Sequence, residues 1–401
     1  MKVTYRRGGW LSTLGRMRAL LLYGDTERSA ALRHEIPVPI GDPFLFAEAD
    51  GRTYILTSRL ETARLARALP DAQLLDYFEL GYKELVESGL SRAEASREVE
   101  ARAVRQIGID NAIVPAEFPI ALADRLRADG IVLTVDEPAI EVRRRAKTTV
   151  ELEGIRIAQR AAEAGMTAAS DLLARSRPNA DGRLEVDGRP LLAEDVRAVL
   201  RQACAQNGAP CPPDVIVASV WQGNGHEPGT GPLPAGLPIH VDVWPRHEET
   251  ACWADMARTF VVGEPAPEHA ERLAEMESLS RRALSEAVEG VRPGVIGRKL
   301  FDAACELFEY AGYPTQRTSG ADEGEGFQWA LGHGVGLEVH EAPSVGLAGR
   351  QPFVVGDVVA LEPGLSDEAI GPVVFEDLVV VTEHGCDVLT DFPYDLAPTR
   401  A

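Results

Sequence analysis

The chain has 401 residues, of which 45% are hydrophobic, and its formal net charge is −21. This length can bury a large core and predicts two or three domains. The acidity argues against nucleic acid or an anionic membrane as a partner, and no apolar run approaches the roughly 18–20 residues of a membrane-spanning helix. Residues 147–401 carry 20 Lys and Arg against 40 Asp and Glu, whereas residues 1–146 carry 21 against 22. The charge distribution therefore predicts a domain boundary near residue 146.

The N-terminus is basic, but its only apolar stretch, Ala19 to Tyr23, is too short for a secretory signal. Met17 could begin a chain by itself, so we expect residues 1–16 to be an N-terminal extension. The five cysteines are scattered, odd in number and free of CxxC pairs. This usage favours a reduced, cytoplasmic protein over a disulfide framework.

Residues 17–146 have the pattern of an α/β domain. Apolar, β-favouring runs predict strands at 43–47, 52–56, 111–114 and 131–135, and helical patterns lie between them at 61–69 and 91–106. Catalytic residue types do not cluster in this part. The basic run that follows, Glu141–Lys147, is interpreted as an exposed connector.

Residues 147–401 contain the same order of elements twice. Helices are predicted at about 149–174 and 193–206, with Thr148 or Thr149 as the cap of the first, and strands at 214–220, 239–244 and 251–262. The second half repeats this order, with helices at about 268–289 and 296–310 and strands at 336–339, 358–362 and 373–381. Helices followed by antiparallel strands, twice over, predict an α+β domain with internal pseudo-symmetry.

Four acidic residues of this part lie in apolar, strand-like runs, where Asp and Glu are uncommon. They are Asp242 in IHVDVW, Asp255 in CWADMA, Glu362 at the end of VVALE, and Glu376 in VVFEDLVV. A carboxylate buried without a partner is costly, although each one alone could face water from an edge position. Arg258 is the only cation close to them in sequence, so the group as a whole predicts bound metal ions.

A glycine-rich run, LGHGVGLEVHEAP at 331–343, places His333 and His340 seven residues apart. Its glycines at 332, 334 and 336 predict a close approach of the backbone to a neighbour, and 336–339 are predicted to form a short buried strand. By itself the run is as consistent with two core histidines as with a site. Together with the four acids it predicts a site for two divalent metals, whose charge would balance four carboxylates. Oxygen-rich sites with one imidazole suit Mn²⁺, while Co²⁺, Fe²⁺ and Zn²⁺ remain possible.

These segments resemble the pita-bread metallopeptidases, the group that includes methionine aminopeptidase, aminopeptidase P and prolidase. The matching stretches are VDVWPRHEETACWADMARTF, LGHGVGLEVHEAP, VALEPG and VVFEDLVVVTEHG, in the order of the family. The similarity covers about 147–390 and is weaker over 17–145, where GDPFLFAEADGRTYILTSRLE resembles the N-terminal domain of prolidase, aminopeptidase P and creatinase. Methionine aminopeptidases lack that domain. The resemblance therefore implies an α/β N-terminal domain at 17–146 and a pseudo-twofold pita-bread domain at 147–401.

The resemblance also implies a role for each candidate residue. Asp242 would chelate one metal, Asp255 and Glu376 would bridge both, and His333 and Glu362 would complete the second site. Glu362 would also handle the proton of a water that bridges the metals. His340 would contact the substrate near the scissile carbonyl, and His226 would lie over the substrate. For the histidines at 240, 247, 269 and 384 we expect surface or structural roles.

Three positions depart from the pattern of the family without touching a ligand. Cys252 replaces a tyrosine that is frequent in relatives, Ala257 replaces a threonine, and Val374 replaces the arginine that prolidase-like members place two residues before the last glutamate. These departures concern substrate preference more than metal binding.

The sequence thus predicts a dinuclear metallopeptidase that hydrolyses the Xaa-Pro bond of dipeptides or short peptides. By resemblance to two-domain relatives, it would be a homodimer. Two alternatives remain open. One is a metal-dependent lyase, or another enzyme that cleaves C–N or C–S bonds of small molecules on the same fold. The other is a non-catalytic binding module. Such modules usually lose ligands, as do creatinase-like enzymes, whereas all five are retained here.

Overall fold

The computed structural model describes residues 18–220, 222, 226–318 and 324–400. The chain divides into two compact units, Met1–Arg143 and Arg144–Ala401. The expected N-terminal extension, 1–16, lies outside the described residues. The domain boundary after residue 146 and the identities assigned to the two domains stay predictions.

The first unit is built on a six-stranded sheet. Its strands are β1 (Ala19–Gly24), β2 (Phe44–Ala49), β3 (Arg52–Thr57), β4 (Gln73–Asp76), β5 (Asn111–Val114) and β6 (Val132–Val135). Its helices are α1 (Ala30–Glu35), α2 (Thr62–Ala68), α3 (Tyr82–Glu87), α4 (Arg92–Ile107), α5 (Ile120–Ala128) and α6 (Glu137–Arg145), the last of which continues into the second unit. The strand order is β4-β3-β2-β1-β5-β6, and every strand except β2 runs in the same direction. The predicted α/β character, including its four strands and two helices, is confirmed.

Both faces of this sheet are covered, which explains why β1 has a continuous apolar run. Successive side chains of a strand point to opposite faces. Leu21 accordingly packs in one core, with Leu45 and Leu56, whereas Leu20 and Leu22 pack in another.

The second unit carries its helices and strands in two successive sets. The helices are α7 (Thr149–Arg175), α8 (Ala193–Gln206), α9 (Pro267–Gly290) and α10 (Gly297–Tyr310). The strands are β7 (Arg177–Pro178), β8 (Leu184–Val186), β9 (Arg189–Pro190), β10 (Ile216–Ala218), β11 (Pro238–Val243), β12 (Met256–Val261), β13 (Gly332–Gly334), β14 (Glu341–Val345), β15 (Val358–Leu361), β16 (Gly364–Leu365), β17 (Val373–Val374), β18 (Asp377–Val381) and β19 (Cys386–Val388).

Each half of this unit places two helices before an antiparallel sheet. Helices α7 and α8 precede the sheet β10-β11-β12, and α9 and α10 precede the sheet β14-β13-β15-β18-β19. One apolar core forms on each half. The predicted two-fold repetition of helices and antiparallel strands is therefore confirmed. Among the described residues, no helix is long and apolar enough to cross a membrane.

The first helix of this unit begins at a reciprocal cap. The Thr148 hydroxyl accepts from the Glu151 backbone N–H at 3.2 Å, and the Glu151 carboxylate accepts from the Thr148 N–H at 2.7 Å. These bonds satisfy two donors that a helix start leaves free. The structure selects Thr148, one of the two predicted caps.

The predicted strand at 336–339 is wrong. These residues form the bend between β13 and β14, and the pairing of the two strands is irregular between His333 and Gly334. A short apolar run with glycines fits either a strand or a turn, and the local pattern does not distinguish them.

The prediction of an exposed connector at 141–147 is also wrong. Arg145 is 4% exposed and donates to both oxygens of Asp357, at 2.9 and 2.5 Å. The Lys147 ammonium forms a close ion pair with Glu341, with both side chains nearly inaccessible to solvent. The carboxylates that make this burial possible lie about two hundred residues away, so the local sequence does not reveal them.

Candidate metal centre

Two of the five predicted ligands come from the hairpin of β11 and β12. Asp242 lies within β11 and is paired with Ala257 of β12. Asp255 comes directly before β12. Because the two strands form an antiparallel ladder, both carboxylates sit at the same end of the hairpin.

Two more of the predicted ligands come from the five-stranded sheet in the second half of the second unit. His333 lies in β13, paired with Ala360 of β15. Glu362 comes directly after β15, and its N–H donates to the Leu331 carbonyl at 2.9 Å. The pairing of β13 and β15 therefore brings the imidazole and the carboxylate together.

Glu376, the fifth predicted ligand, connects the β11–β12 hairpin to the sheet that contains β13 and β15. It lies in the break between β17 and β18, and its N–H donates to the Ala257 carbonyl at 3.1 Å. Arg258 donates to the Glu376 carbonyl at 2.6 Å and to the Asp377 carboxylate at 2.9 Å. Of the four acids only Asp242 lies inside a strand. Glu362 follows the end of β15, as predicted, whereas Asp255 and Glu376 come directly before β12 and β18 instead of inside a strand.

The glycines beside His333 allow these strands to approach closely. A Cβ at Gly332 would collide with the Ala360 carbonyl oxygen, and one at Gly334 with the Ala342 carbonyl oxygen. The predicted close approach of the backbone is confirmed for both glycines.

The ligand atoms form two overlapping groups. Oxygens of Asp242, Asp255 and Glu376 lie within 4.8 Å of one another, and so do ligand atoms of Asp255, His333 and His340. The His333 Nε2 atom is 3.6 Å from an oxygen of Asp255 and 3.6 Å from an oxygen of Glu362. The structure thus brings all five predicted ligands together, with Asp255 common to both groups.

Burial makes this cluster electrostatically unfavourable by itself. It raises the pKa of Asp242 to about 7 and that of Glu362 to about 8, the latter also through the charge of Asp242. Burial and the neighbouring carboxylates raise the pKa values of Asp255 and Glu376 well above their ordinary range. Burial, followed by the charge of His340, lowers the pKa of His333 to about 4.

The donor set fits divalent cations. The Oδ1 atom of Asp242 is buried, and none of the described residues gives it a hydrogen bond. Arg258, 1% exposed, is already committed to Asp377 and to main-chain carbonyls of 376, 392 and 393. A cluster of carboxylates with one or two neutral imidazoles and no available arginine has the chemistry of a site for hard or borderline metal ions.

His340 and His226 lie beside this cluster. The rings of His340 and His333 are 4.2 Å apart and nearly perpendicular. Burial and the charge of His226 lower the pKa of His340, so His226 is close enough to influence it. The two predicted substrate-contacting histidines are therefore neighbours, although three residues just before His226 lie outside the described ranges.

The sequence analysis missed His240. Its Nε2 atom lies 3.9 Å from a carboxylate oxygen of Asp242, and burial lowers its pKa to about 4. The expectation of a surface or structural role for His240 did not anticipate this position. The sequence spacing alone indicates this proximity, because His240 and Asp242 are two residues apart in a strand and their side chains therefore share a face.

A family model and several known proteins resemble this chain. The model described as "Metallopeptidase family M24" matches residues 153–383, which is more than half of the chain. A Xaa-Pro dipeptidase from Pyrococcus furiosus is 35% identical over 137 residues, which are 34% of this chain and 35% of that protein. An uncharacterized peptidase from Staphylococcus epidermidis is 31% identical over 139 residues, 35% of this chain and 36% of that protein. These matches therefore span about a third of the length of the relatives.

Solved structures match over nearly the whole chain. The prolidase from Pyrococcus horikoshii has a TM-score of 0.73 at 21% identity, covering 94% of this chain and 95% of that one. The X-Pro aminopeptidase from Thermotoga maritima has a TM-score of 0.72 at 20% identity, covering 94% and 96%. At this identity the likeness concerns the fold, and it confirms the pita-bread architecture.

Proposed function

Because this chain belongs to metallopeptidase family M24, we propose that it is a dinuclear metal-dependent peptidase that hydrolyses the Xaa-Pro bond of dipeptides or short peptides. The observation that carries the proposal is the convergence of four carboxylates and His333 in one cluster, in which a buried oxygen of Asp242 receives no hydrogen bond from the described residues. The names of the relatives, a Xaa-Pro dipeptidase among them, support the choice of substrate.

The five ligand residues have distinct roles in this proposal. Asp242 would hold one ion, His333 and Glu362 would hold the other, and Asp255 and Glu376 would contribute to both. Two divalent ions, when bound, polarise the scissile carbonyl and lower the pKa of water. A donor set of carboxylate oxygens with one imidazole, that of His333, favours Mn²⁺ over softer metals.

The remaining polar residues act on the substrate and on protons. Glu362 accepts a proton from the attacking water and returns it to the departing proline nitrogen, so that water is added across one C–N bond. His340, uncharged at neutral pH, donates an N–H to the carbonyl oxygen as negative charge develops there. His226 lies over the substrate from the first half of the unit.

The test is an assay with a panel of Xaa-Pro dipeptides and tripeptides in the presence of Mn²⁺. We expect mass spectrometry to detect free proline or a fragment that begins with proline. A matched panel with alanine in place of proline should be cleaved much more slowly. If folded, metal-loaded protein cleaves no member of the Xaa-Pro panel, the peptidase proposal fails in favour of a lyase or another small-molecule enzyme.

Two further parts of the proposal concern the protein as a whole. We propose a homodimer, on the resemblance to two-domain relatives; a light-scattering mass of one chain at all concentrations would refute it.

We also propose a cytoplasmic location, because all five cysteines are free thiols in the structure. A periplasmic or secreted fraction that holds the enzyme would contradict that location.

A further inference from the structure

The first unit contains a cavity of about 730 Å³ that has no part in the candidate metal centre. It opens at the carboxyl ends of parallel strands: Tyr23 is near the end of β1, Thr57 ends β3, and Asp76 ends β4. Open α/β sheets bind their ligands at this edge. The volume lies within the usual range for small-molecule sites.

One wall of the cavity is a single face of α4. The residues that line it are Arg92, Ala93, Ser96, Arg97 and Glu100, which recur at the three- and four-residue spacing of one helix face. The N-terminal turn of α4 is thus part of the cavity, and the start of a helix attracts negative charge. Among the described residues, neither Arg92 nor Arg97 forms a direct ion pair with a carboxylate, although the charge of Arg97 acts to lower the pKa values of Glu94 and Glu100.

The inner end of the same face carries negative charge. Glu100 is 1% exposed, and its Oε1 atom accepts from the Tyr77 hydroxyl at 3.2 Å. Its other oxygen, Oε2, is buried and receives no hydrogen bond from the described part of the chain. Burial raises the pKa of Glu100, while the hydroxyl groups of Tyr23 and Tyr77 and the charge of Arg97 oppose that rise. A buried carboxyl group with an unused oxygen indicates a missing hydrogen-bond donor.

Aromatic rings also line the cavity. The rings of Tyr77 and Tyr82 are 6.2 Å apart, and those of Phe78 and Tyr82 are 5.9 Å apart, both edge to face. Such rings receive apolar side chains, and their faces also attract ammonium groups. The lining of the cavity therefore combines cations, a buried carboxyl group and apolar rings.

We propose that this cavity binds a free α-amino acid with an apolar or aromatic side chain. Its carboxylate would lie at Arg92 and Arg97, and its ammonium group would lie at Glu100 among the tyrosine rings. A simple anion would leave the Oε2 atom of Glu100 without a donor, and a simple cation would leave the two arginines without an acceptor. A zwitterion satisfies both ends. The inference does not depend on the proposed peptidase activity.

The test is calorimetric titration of the full chain with L-phenylalanine. We expect saturable binding at one site per chain. L-Phenylalaninamide lacks the carboxylate and N-acetyl-L-phenylalanine lacks the ammonium, and each should bind at least about tenfold more weakly, as expected for the loss of a hydrogen bond to a charged group. Equal affinity for all three ligands would overturn the proposal.

Variants locate the site. Glu100→Gln and Arg97→Met should each weaken binding by at least about tenfold, whereas Arg127→Met, at an exposed arginine of α5 outside the cavity, should leave it unchanged. Arg97 is only partly buried, so its variant is expected to fold, and thermal melts check this. Asp255→Asn, in the candidate metal centre, should bind L-phenylalanine like the wild type. Absence of saturable heat up to about 10 mM, unchanged binding by both cavity variants, or loss of binding in Asp255→Asn would each refute this site.

Discussion

Asp255 is the one carboxylate shared by both groups of candidate ligands. Asp255→Asn keeps the size of the side chain but removes a charge on which both ions would depend. We expect elemental analysis to show the loss of at least one metal per chain. Loss of an outer partner of a ligand already costs about 10–100-fold in activity, so kcat should fall by more than about 100-fold.

A matched control for this variant is Asp387→Asn. Asp387 is exposed in β19, an edge strand of the sheet that also contains β13. The Asp387→Asn variant should keep the metal content and the kcat of the wild type. Wild-type metal content in Asp255→Asn would contradict the shared role.

His340 tests whether substrate contact is separate from metal binding. In our proposal it donates to the substrate, so His340→Ala should keep both metals and a wild-type melting temperature. Loss of one such donor typically lowers kcat by about 10²–10³. Its ring lies 4.2 Å from that of His333 and its ligand atoms are within reach of Asp255. Loss of metal in His340→Ala, measured by elemental analysis, would show that His340 is a ligand instead.

The four acids could be found in the sequence because charged residues in apolar runs are visible without any structure, and His333 could be found because it lies in a glycine-rich run. Their individual roles as ligands follow from the family resemblance. The sequence analysis did not single out His240, because a histidine next to apolar residues is usually structural, although its two-residue spacing from Asp242 places both side chains on one face of the strand. The roles of individual ligands depend on distances between strands of different sheets. The Ala257–Glu376 hydrogen bond that sets one of these distances joins residues more than one hundred positions apart.

At the scale of elements, the cap of α7 gives a clean stability test. Thr148→Ala removes the hydroxyl that accepts from the Glu151 N–H. Losing such a cap lowers the free energy of unfolding by about 1 kcal/mol. The neighbouring Thr149→Ala, at another exposed threonine, should change it by less than about 0.5 kcal/mol. Denaturant unfolding measures both, and equal effects of the two substitutions would show that the cap is unimportant.

Helices were predicted more accurately than strands. Helix α8 has the predicted bounds, and α7 differs by one residue at its C-terminus, because caps and apolar spacing are local signals. Strand limits depend on partners. The predicted strand at 251–262 begins only at Met256, where pairing with β11 begins. The buried ion pairs of Arg145 and Lys147 were missed for the same reason, because both partners lie far along the chain.

At the scale of the whole molecule, the metal-free protein should become less stable as pH rises. The pKa values of Asp242 and Glu362 are raised in the folded chain to about 7 and about 8, whereas unfolded acids titrate near pH 4. Between these limits the folded state binds more protons than the unfolded state, so the free energy of unfolding falls with increasing pH. Thermal melts in EDTA from about pH 5 to about pH 8 should show a falling melting temperature.

Bound metal should reverse this trend. Ions must displace protons from these carboxylates, so the stabilisation by Mn²⁺ should be greater at the alkaline end of the range. The double variant Asp242→Asn/Glu362→Gln serves as control and should show a weaker fall of melting temperature with pH in EDTA. A melting temperature of the metal-free wild type that rises through this window would contradict the raised pKa values.

The fold of the whole chain could be predicted to a large extent from two regularities, the alternation of strands and helices in the first unit and the repeated order of elements in the second. The cavity of the first unit could not. Its lining comes from several separate segments between Tyr23 and Leu122, and none of them has an unusual composition. Only the parallel pairing of the strands brings their carboxyl ends to one edge.

The most direct test of the metal centre is the metal content of the purified chain after loading with Mn²⁺ and mild dialysis. The convergence of four carboxylates and His333 leads us to expect two divalent ions per chain by elemental analysis. A folded protein that retains no metal after loading at micromolar Mn²⁺ or Co²⁺ would contradict the account.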